Sequence, residues 1–449
     1  MVINRRGAAV KIWISAVVCT VAVLGSSLLF AGPKIQTWET PNGAKVLFVA
    51  APELPMMDVR VVFDAGSARD GDKPGLAQLT ASLLSEGAGD WNADQLAERM
   101  EAVGADFGTG SARDMAWATV RTLTEPKALN TALETLSTVI AKPRFAAADF
   151  DRTREAMQIG LRQSEQNPGA VVSKAFFATV FAGHPYASHP GGTQESLSAM
   201  VRDDLIQMHK KYYVTRNAVV AIVGAIDRKQ AEEIAAQVTA GLPKGEHAPG
   251  LPEVALASEG VTEKVAFPSS QSHIRLGQPG MRRGDPDYFV LYVGNHVFGG
   301  SGLVSLLSDE VREKRGLSYS VYSYFNPMSQ AGPFIMGAQT KNAQAEEALT
   351  VMQKTLQDYI DKGPTEEQLT ASKQNITGGF PLRIASNRDI VGYLAMLGFY
   401  DLPLDYLDTF VDKINAVTTE QIRDAFQRRL KPDHFTTVVV GSSEATPGG

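Results

Sequence analysis

Two α+β domains built on one plan, each a mainly antiparallel sheet packed with helices, are what this sequence predicts. The first observation behind this is internal repetition. An amphipathic stretch over 204–213 leads into the apolar run NAVVAIVGAID at 217–227, and a stretch over 421–430 leads into HFTTVVVGSSE at 434–444. Superposing Val223-Gly224 on Val440-Gly441 gives an offset of 217. ALETLSTVI at 132–140 parallels MQKTLQDYI at 352–360 at an offset of 220, and RFAAADFDRTREAM at 144–157 parallels GPTEEQLTASKQNI at 363–376 at 219. The second observation is mixed periodicity: DVRVVF at 58–63 alternates Val59, Val61 and Phe63 as a strand does, whereas Leu129, Leu133, Leu136 and Ile140 keep a helical period. The third is a break at mid-chain. GLPKGEHAPGLP at 241–252 holds six Gly or Pro residues in twelve, so it can pair neither as helix nor as central strand.

The elements then fall in order. Residues 1–32 come first, with Arg5, Arg6 and Lys11 ahead of an uncharged apolar run from Ile12 to Ala31, the pattern of an export signal. About twenty residues also suffice to span a bilayer once, so a cleaved signal peptide and an N-terminal membrane anchor are both open. Either implies export, to the periplasm if the signal is cut and anchored at the inner membrane if it is not. The first domain is expected over 35–240, a linker over 241–254 and the second domain over 255–445.

Composition bounds the function. A chain of 449 residues with 44% hydrophobic and 20% charged content is long enough for two cores and too apolar for disorder. The sole cysteine, Cys19, lies inside the apolar leader, so the rest of the chain has no disulfide and no cysteine-ligated metal. Removing 1–32 deletes three positive charges and takes the formal net charge from −6 to −9. Such an acidic exported protein is a poor nucleic-acid binder.

The segment DAGSARDGDKPGLAQLTASLLSEG at 64–87, followed by LAERMEAVGADFG at 96–108, resembles the pitrilysin/insulinase-type metallopeptidases, whose HxxEH helix sits in such a glycine-flanked frame. In that motif two histidines at i and i+4 share one helix face and ligate zinc, while the glutamate activates water. The matching positions here are Gln78, Ala81 and Ser82, an amide, a methyl and a hydroxyl. The family's third ligand, a later glutamate, would fall near Ile159 and Gly160. None of these is a zinc ligand or a general base, so no metal and no catalytic residue of its own is expected in this chain. The seven histidines include no pair at helical ligand spacing. HPYASHP at 184–190 reads as a turn packing against its domain rather than as a metal site.

In the second half FGGSGLVSLLSDEVREKRGLSYSVYSYF at 298–325 resembles the same family most closely. The resemblance implies that Arg312 and Tyr319, seven apart, hold substrate beside the metal of a facing domain. A guanidinium fork can donate to a peptide carbonyl and a phenol to the developing oxyanion. Taken by themselves, Arg312 belongs to a charged run over 310–315 that could simply face solvent, and Tyr319 could be an ordinary strand aromatic. Gly299, Gly300 and Gly302 resemble a shortened form of the glycine-rich loop of the non-catalytic subunit of the mitochondrial processing peptidase. They read equally as a substrate loop and as a helix entry turn.

The resemblance therefore implies a zinc-free, substrate-binding subunit of an exported metallopeptidase heterodimer, with peptide substrates and with zinc on an HxxEH-bearing partner. The alternative is a non-proteolytic structural or peptide-binding protein on the same fold.

Overall fold

The structure, a computed structural model, describes residues 33–442, and the segment read as a signal or anchor lies outside the described residues. The first half runs β1 (Gln36–Glu39), β2 (Lys45–Ala50), β3 (Met56–Phe63), α1 (Leu76–Leu83), β4 (Gly87–Ala88), β5 (Trp91–Asn92), α2 (Ala93–Glu101), β6 (Asp106–Ser111) and β7 (Ala116–Leu123). Helices α3 (Pro126–Ala141), α4 (Ala147–Ser164), α5 (Pro168–Val180), α6 (Gln194–Ala199) and α7 (Arg202–Tyr212) follow, then β8 (Ala218–Gly224) and α8 (Arg228–Thr239). The second half runs β9 (Val261–Ala266), β10 (Gln271–Met281), α9 (Tyr288–Asn295), β11 (Ser318–Phe325) and β12 (Gly332–Lys341). It closes with α10 (Ala345–Lys362), α11 (Glu366–Gly379), α12 (Asn387–Phe399), α13 (Tyr406–Asn415), α14 (Thr419–Arg429) and β13 (Thr436–Gly441). Among the described residues no helix is long and apolar enough to cross a membrane.

The two sheets repeat one topology. In the first, β2 pairs parallel with β8, and β8, β3, β7 and β6 then follow antiparallel. In the second, β9 pairs parallel with β13, and β13, β10, β12 and β11 follow antiparallel. Helices α3, α4 and α7 recur as α10, α11 and α14 at the offsets the repeated segments give. Local chemistry sets several of their ends: Glu125 accepts from the Ala128 amide ahead of Pro126 in α3, and Thr365 and Thr418 close capping boxes at α11 and α14.

Each half also lends a helix to the other. Helix α12 packs on β2, β3 and β8, and α5 packs on β10 and β13. The first sheet is therefore buried on both faces. Val46, Phe48, Val59, Val61 and Phe63 face its own helices, and Leu47, Val49, Val62 and Val219 face the core shared with the second half. Gly398 in α12 permits the close approach, since a Cβ there would lie 2.5 Å from Val219 Cγ1 and 2.6 Å from Leu47 Cδ1. On the other side Phe176 and Phe181 are fully buried against Ile335, Val438 and Val440, each contributing about 2 kcal/mol by area burial.

Polar groups lock the same junction. Asp114, in the β6–β7 turn, accepts from Tyr186 Oη at 2.6 Å, from Tyr400 Oη at 2.9 Å and from the Ser329 amide at 2.8 Å, so one buried carboxylate ties residues of both halves. The Gly/Pro-rich stretch after α8 has no regular structure, yet it is strapped down. Arg69 donates to the Pro249 carbonyl at 2.6 Å and Gln330 to the Leu251 carbonyl at 3.1 Å, while His184 Nε2 lies 2.9 Å from the Pro252 carbonyl.

Candidate functional site

Helix α1 places Gln78, Ala81 and Ser82 on one face. Leu76, Leu79 and Leu83 fill the core behind it, leaving Gln78 and Ser82 half-buried and Ala81 buried. Asp70 anchors the helix start, accepting from the Gly75 and Ala77 amides at 2.8 Å each, and burial pushes its carboxyl up to about 7 against the pull of those two donors. The motif's geometry is thus kept and its donors are gone. An amide and a hydroxyl four residues apart, with a methyl between, do not fit zinc. Among the described residues no three His, Cys, Asp or Glu gather to hold a metal.

The neighbouring helix α4 supplies no replacement. Ile159 and Gly160, where sequence alignment puts the third ligand, lie on its exposed side. The half-buried positions beside them are Met157 and Gln158, and Gln158 donates to Ser198 Oγ at 2.9 Å. Neither pair of positions offers a carboxylate. Histidines are engaged elsewhere: His184 Nδ1 accepts from the Tyr186 amide, His189 Nδ1 from the Gly191 amide, and His209 Nε2 lies 2.8 Å from the Ile140 carbonyl. HPYASHP is a packed turn.

In the second half the chain brings Arg312 and Tyr319 together. Arg312 lies in a π-helical turn over 308–313 and Tyr319 at a bulge in edge strand β11, where pairing with β12 skips from Ser318 to Ser320. The guanidinium stands 4.9 Å from the centre of the Tyr319 ring, a cation–π contact. Tyr319 is 84% exposed, because the bulge turns it out of the sheet. The other cations of the run are held by acids: Lys314 by Asp309 and Glu310 at 2.8 and 2.6 Å, and Arg315 by Glu310 at 2.6 Å. Among the described residues the one acid that Arg312 meets is Glu313, at a looser 3.4 Å. Among the described residues no hydrogen bond, ion pair or ring contact joins Arg312 or Tyr319 to Gln78, Ala81 or Ser82.

The three glycines divide. Gly299 is buried, and a Cβ there would lie 2.3 Å from Ser323 Oγ, so it serves close packing within its own domain. Gly300 is exposed, and Gly302 has φ +64° with open space around it. The next residues, Leu303 and Val304, are 64% and 84% exposed. Gly299 and Gly300 close a π-helical turn over 296–300 that ends α9 rather than entering a helix, and Gly302 begins the short turn after it.

Two quasi-equivalent α+β halves that exchange helices, with no zinc-ligand set on the metal-motif face of the first, define a duplicated peptidase fold. Residues 45–194 match the family described as Insulinase (Peptidase family M16), and residues 199–376 match the one described as Peptidase M16 inactive domain. The structure of a peptidase M16 inactive domain from Pseudomonas fluorescens superposes with a TM-score of 0.89 at 40% identity, over 92% of this chain and 98% of that one. Among curated relatives, the uncharacterized zinc protease YmxG of Bacillus subtilis is 23% identical over 92% of this chain and all of its own length. The non-peptidase homolog YmxG of Helicobacter pylori is 25% identical over 91% of this chain and 94% of its own. The chain belongs to the insulinase (M16) family of peptidases. With Gln78, Ala81 and Ser82 in the motif positions, it is an inactive-type member.

Proposed function

We propose that this chain is the zinc-free, substrate-binding subunit of an exported M16 metallopeptidase heterodimer, completing in trans the peptide site of an HxxEH-bearing partner that carries the zinc. The observation that carries this reading is the Arg312–Tyr319 pair. Its cation lacks the close carboxylate partners of its neighbours, and its phenol is presented to solvent from an edge strand. In the complex Arg312 would hold a substrate carbonyl and Tyr319 would donate to the oxyanion that develops on it, while the partner's zinc would supply the activated water. The exposed segment from Gly300 to Val304 offers further surface to a bound chain in this reading. The leader over 1–32 supports a periplasmic or inner-membrane-anchored location.

The test is to purify the native protein from an envelope fraction, identify the co-purifying HxxEH chain, and measure peptide cleavage by the reconstituted pair. Removing one such donor costs about a hundred- to a thousandfold in rate, so Arg312→Ala and Tyr319→Phe are each expected to slow cleavage by at least about tenfold with assembly intact. Arg315→Ala, which removes equal charge from a residue held by Glu310, should have little effect. Equal and small losses from all three would overturn the reading. The second reading, a non-proteolytic structural or peptide-binding protein, is favoured by the joint loss of all three motif residues. Absence of any co-purifying HxxEH chain would select it.

A further inference from the structure

The second half contains its own counterpart of the lost motif. Helix α9 takes the place of α1, packing on α11, α14 and β11 as α1 packs on α4, α7 and β6. Residues 77–84 and 291–298 alternate between buried and half-buried in the same order, which fixes the register. Tyr292, Asn295 and His296 therefore stand where Gln78, Ala81 and Ser82 stand in the first half. This face opens on a polar cavity of about 540 Å³.

The polar groups of the cavity are arranged as donors. His296 Nδ1 contacts Ser372 Oγ, and its Nε2 lies 3.2 Å from Asn375 Oδ1. Burial lowers the pKa of the imidazole from its ordinary value and so favours the neutral ring. With the serine hydroxyl donating to Nδ1 and Nε2–H donating to the amide oxygen, Asn375 is left with its two amide hydrogens to offer. Arg383 at the mouth donates to Tyr292 Oη at 2.8 Å, and Arg283 lies deeper, its guanidinium 5.5 Å from the centre of the Tyr400 ring and its buried Nε without a hydrogen-bond partner. Neither arginine forms an ion pair among the described residues, and no described residue lining the cavity is acidic. Tyr288 and Tyr292 stack at 6.0 Å with their planes 1° apart and form an aromatic wall.

From this set of donors we infer that the α9 cavity binds the free C-terminal carboxylate of a peptide, with Arg283, Arg383 and Asn375 around the carboxylate and the tyrosine wall against the last side chain. A guanidinium fork matches a planar carboxylate, and a cavity whose two cations have only phenol partners, with no acid in its lining, favours an anion over a neutral chain. That the anion is a peptide end rests on the peptide-handling reading above. The site is distinct from Arg312 and Tyr319, neither of which lines it.

The test titrates the isolated full chain with N-terminally dansylated Ala-Ala-Phe, as free acid and as C-terminal amide, following fluorescence. The free acid is expected to bind about tenfold or more tightly than the amide, the scale of one charge-assisted hydrogen bond. Arg383→Gln and, separately, Arg283→Gln should weaken the acid by about tenfold and leave the amide nearly unchanged. Lys354→Ala, an exposed charge on α10, should alter neither. Equal affinity for acid and amide, or no binding of either, overturns the inference without recourse to any variant. Displacement of the acid by inorganic phosphate at a concentration where acetate has no effect also overturns it, in favour of a phosphate site. Neither partner nor cleavage is needed, so failure of cleavage in trans would leave this result standing, and the reverse.

Discussion

Helices α1 and α9 occupy the same place in two copies of one fold, yet they have diverged in opposite directions. Around α1 the face that should hold chemistry carries Gln78, Ala81 and Ser82, while the leucine stripe and the Asp70 anchor behind it are intact. Around α9 the equivalent face is polar and ordered, with His296, Asn375 and two arginines about a cavity. The difference teaches that the scaffold does not need its site. Core leucines and helix anchors keep a motif helix in position whether or not its outer face binds anything.

That comparison presumes that the two halves hold a fixed relation, and the largest expected effect comes from breaking it. Asp114→Ala strands two phenols and a backbone amide at the junction. At about 1–3 kcal/mol per stranded buried donor, the loss should be roughly 3 kcal/mol or more in denaturant unfolding. Asp114→Asn keeps one acceptor oxygen and should cost less. If Asp114→Ala melts like a surface substitution, the halves are independent and their quasi-equivalence has no mechanical consequence.

The loop after α9 sharpens the contrast between packed and exposed parts of the second site. Gly299→Ala forces a Cβ to 2.3 Å from Ser323 Oγ and 2.8 Å from the Ser323 amide. Overpacking of this kind costs about 1–3 kcal/mol. Gly302→Ala meets open space and should cost only the left-handed strain of its φ of +64°, about 1 kcal/mol. Chemical denaturation of the two variants ranks them, and a reversed order would mean that the loop is held by contacts its backbone does not show.

The anchors of the two helices should respond oppositely to pH. Among the described residues Asp70 has no cation partner, and burial raises its carboxyl from 3.8 to about 7, so the native state holds its proton more tightly than the unfolded chain. Its contribution to stability is complete below about pH 4 and is lost as pH rises towards 7. Near α9, Asp287 is lowered by hydrogen bonds from Arg428, so it stabilises above the unfolded carboxylate range and loses that contribution as pH falls through its folded pKa. Melts of Asp70→Asn against the parent between pH 4.5 and 7.5 should show the parent's downward slope flattened. An unchanged slope would mean that the two amide donors outweigh burial and that Asp70 is ionised throughout.

Much of this fold was legible in the sequence because its signals are local. The three matched segments placed α3 and α10, α4 and α11, and α7, α14, β8 and β13, whose periods, caps and apolar runs all lie within the segments themselves. The helix exchange was not legible, because PGAVVSKAFFATV in α5 is apolar whichever sheet it meets. For the same reason β3 reads as half-buried, whereas Val62 and Asp58 are buried on its second face. Asp114 lies in a turn with no sign of its three partners. The repeat also hid the α9 site: the connection from β3 to α1 is longer than that from β10 to α9, so offsets near 217 point past Tyr292 and His296. Arg312 and Tyr319 were singled out through motif context, and the bulge that exposes Tyr319 was not visible in SYSVYSYF.

The smallest effect expected is that of metal removal, and it bears on α1 most directly. If this helix had kept a zinc through unconventional donors, the metal would add stability to the folded state only, and a chelator would remove it. The amide, methyl and hydroxyl at positions 78, 81 and 82 offer no ligand set, and the helix is already held by Leu76, Leu79, Leu83 and the Asp70 anchor. Thermal melts of the purified chain with and without a chelator should therefore coincide, and metal analysis after gel filtration should find no stoichiometric zinc. A lowered melting temperature in chelator, or about one zinc retained per chain, would place a metal in the first half after all. Adding Gln78→His and Ser82→His then gives the positive control. Two imidazoles four residues apart on an intact helix face should create weak zinc binding, and with it the chelator sensitivity that the parent lacks.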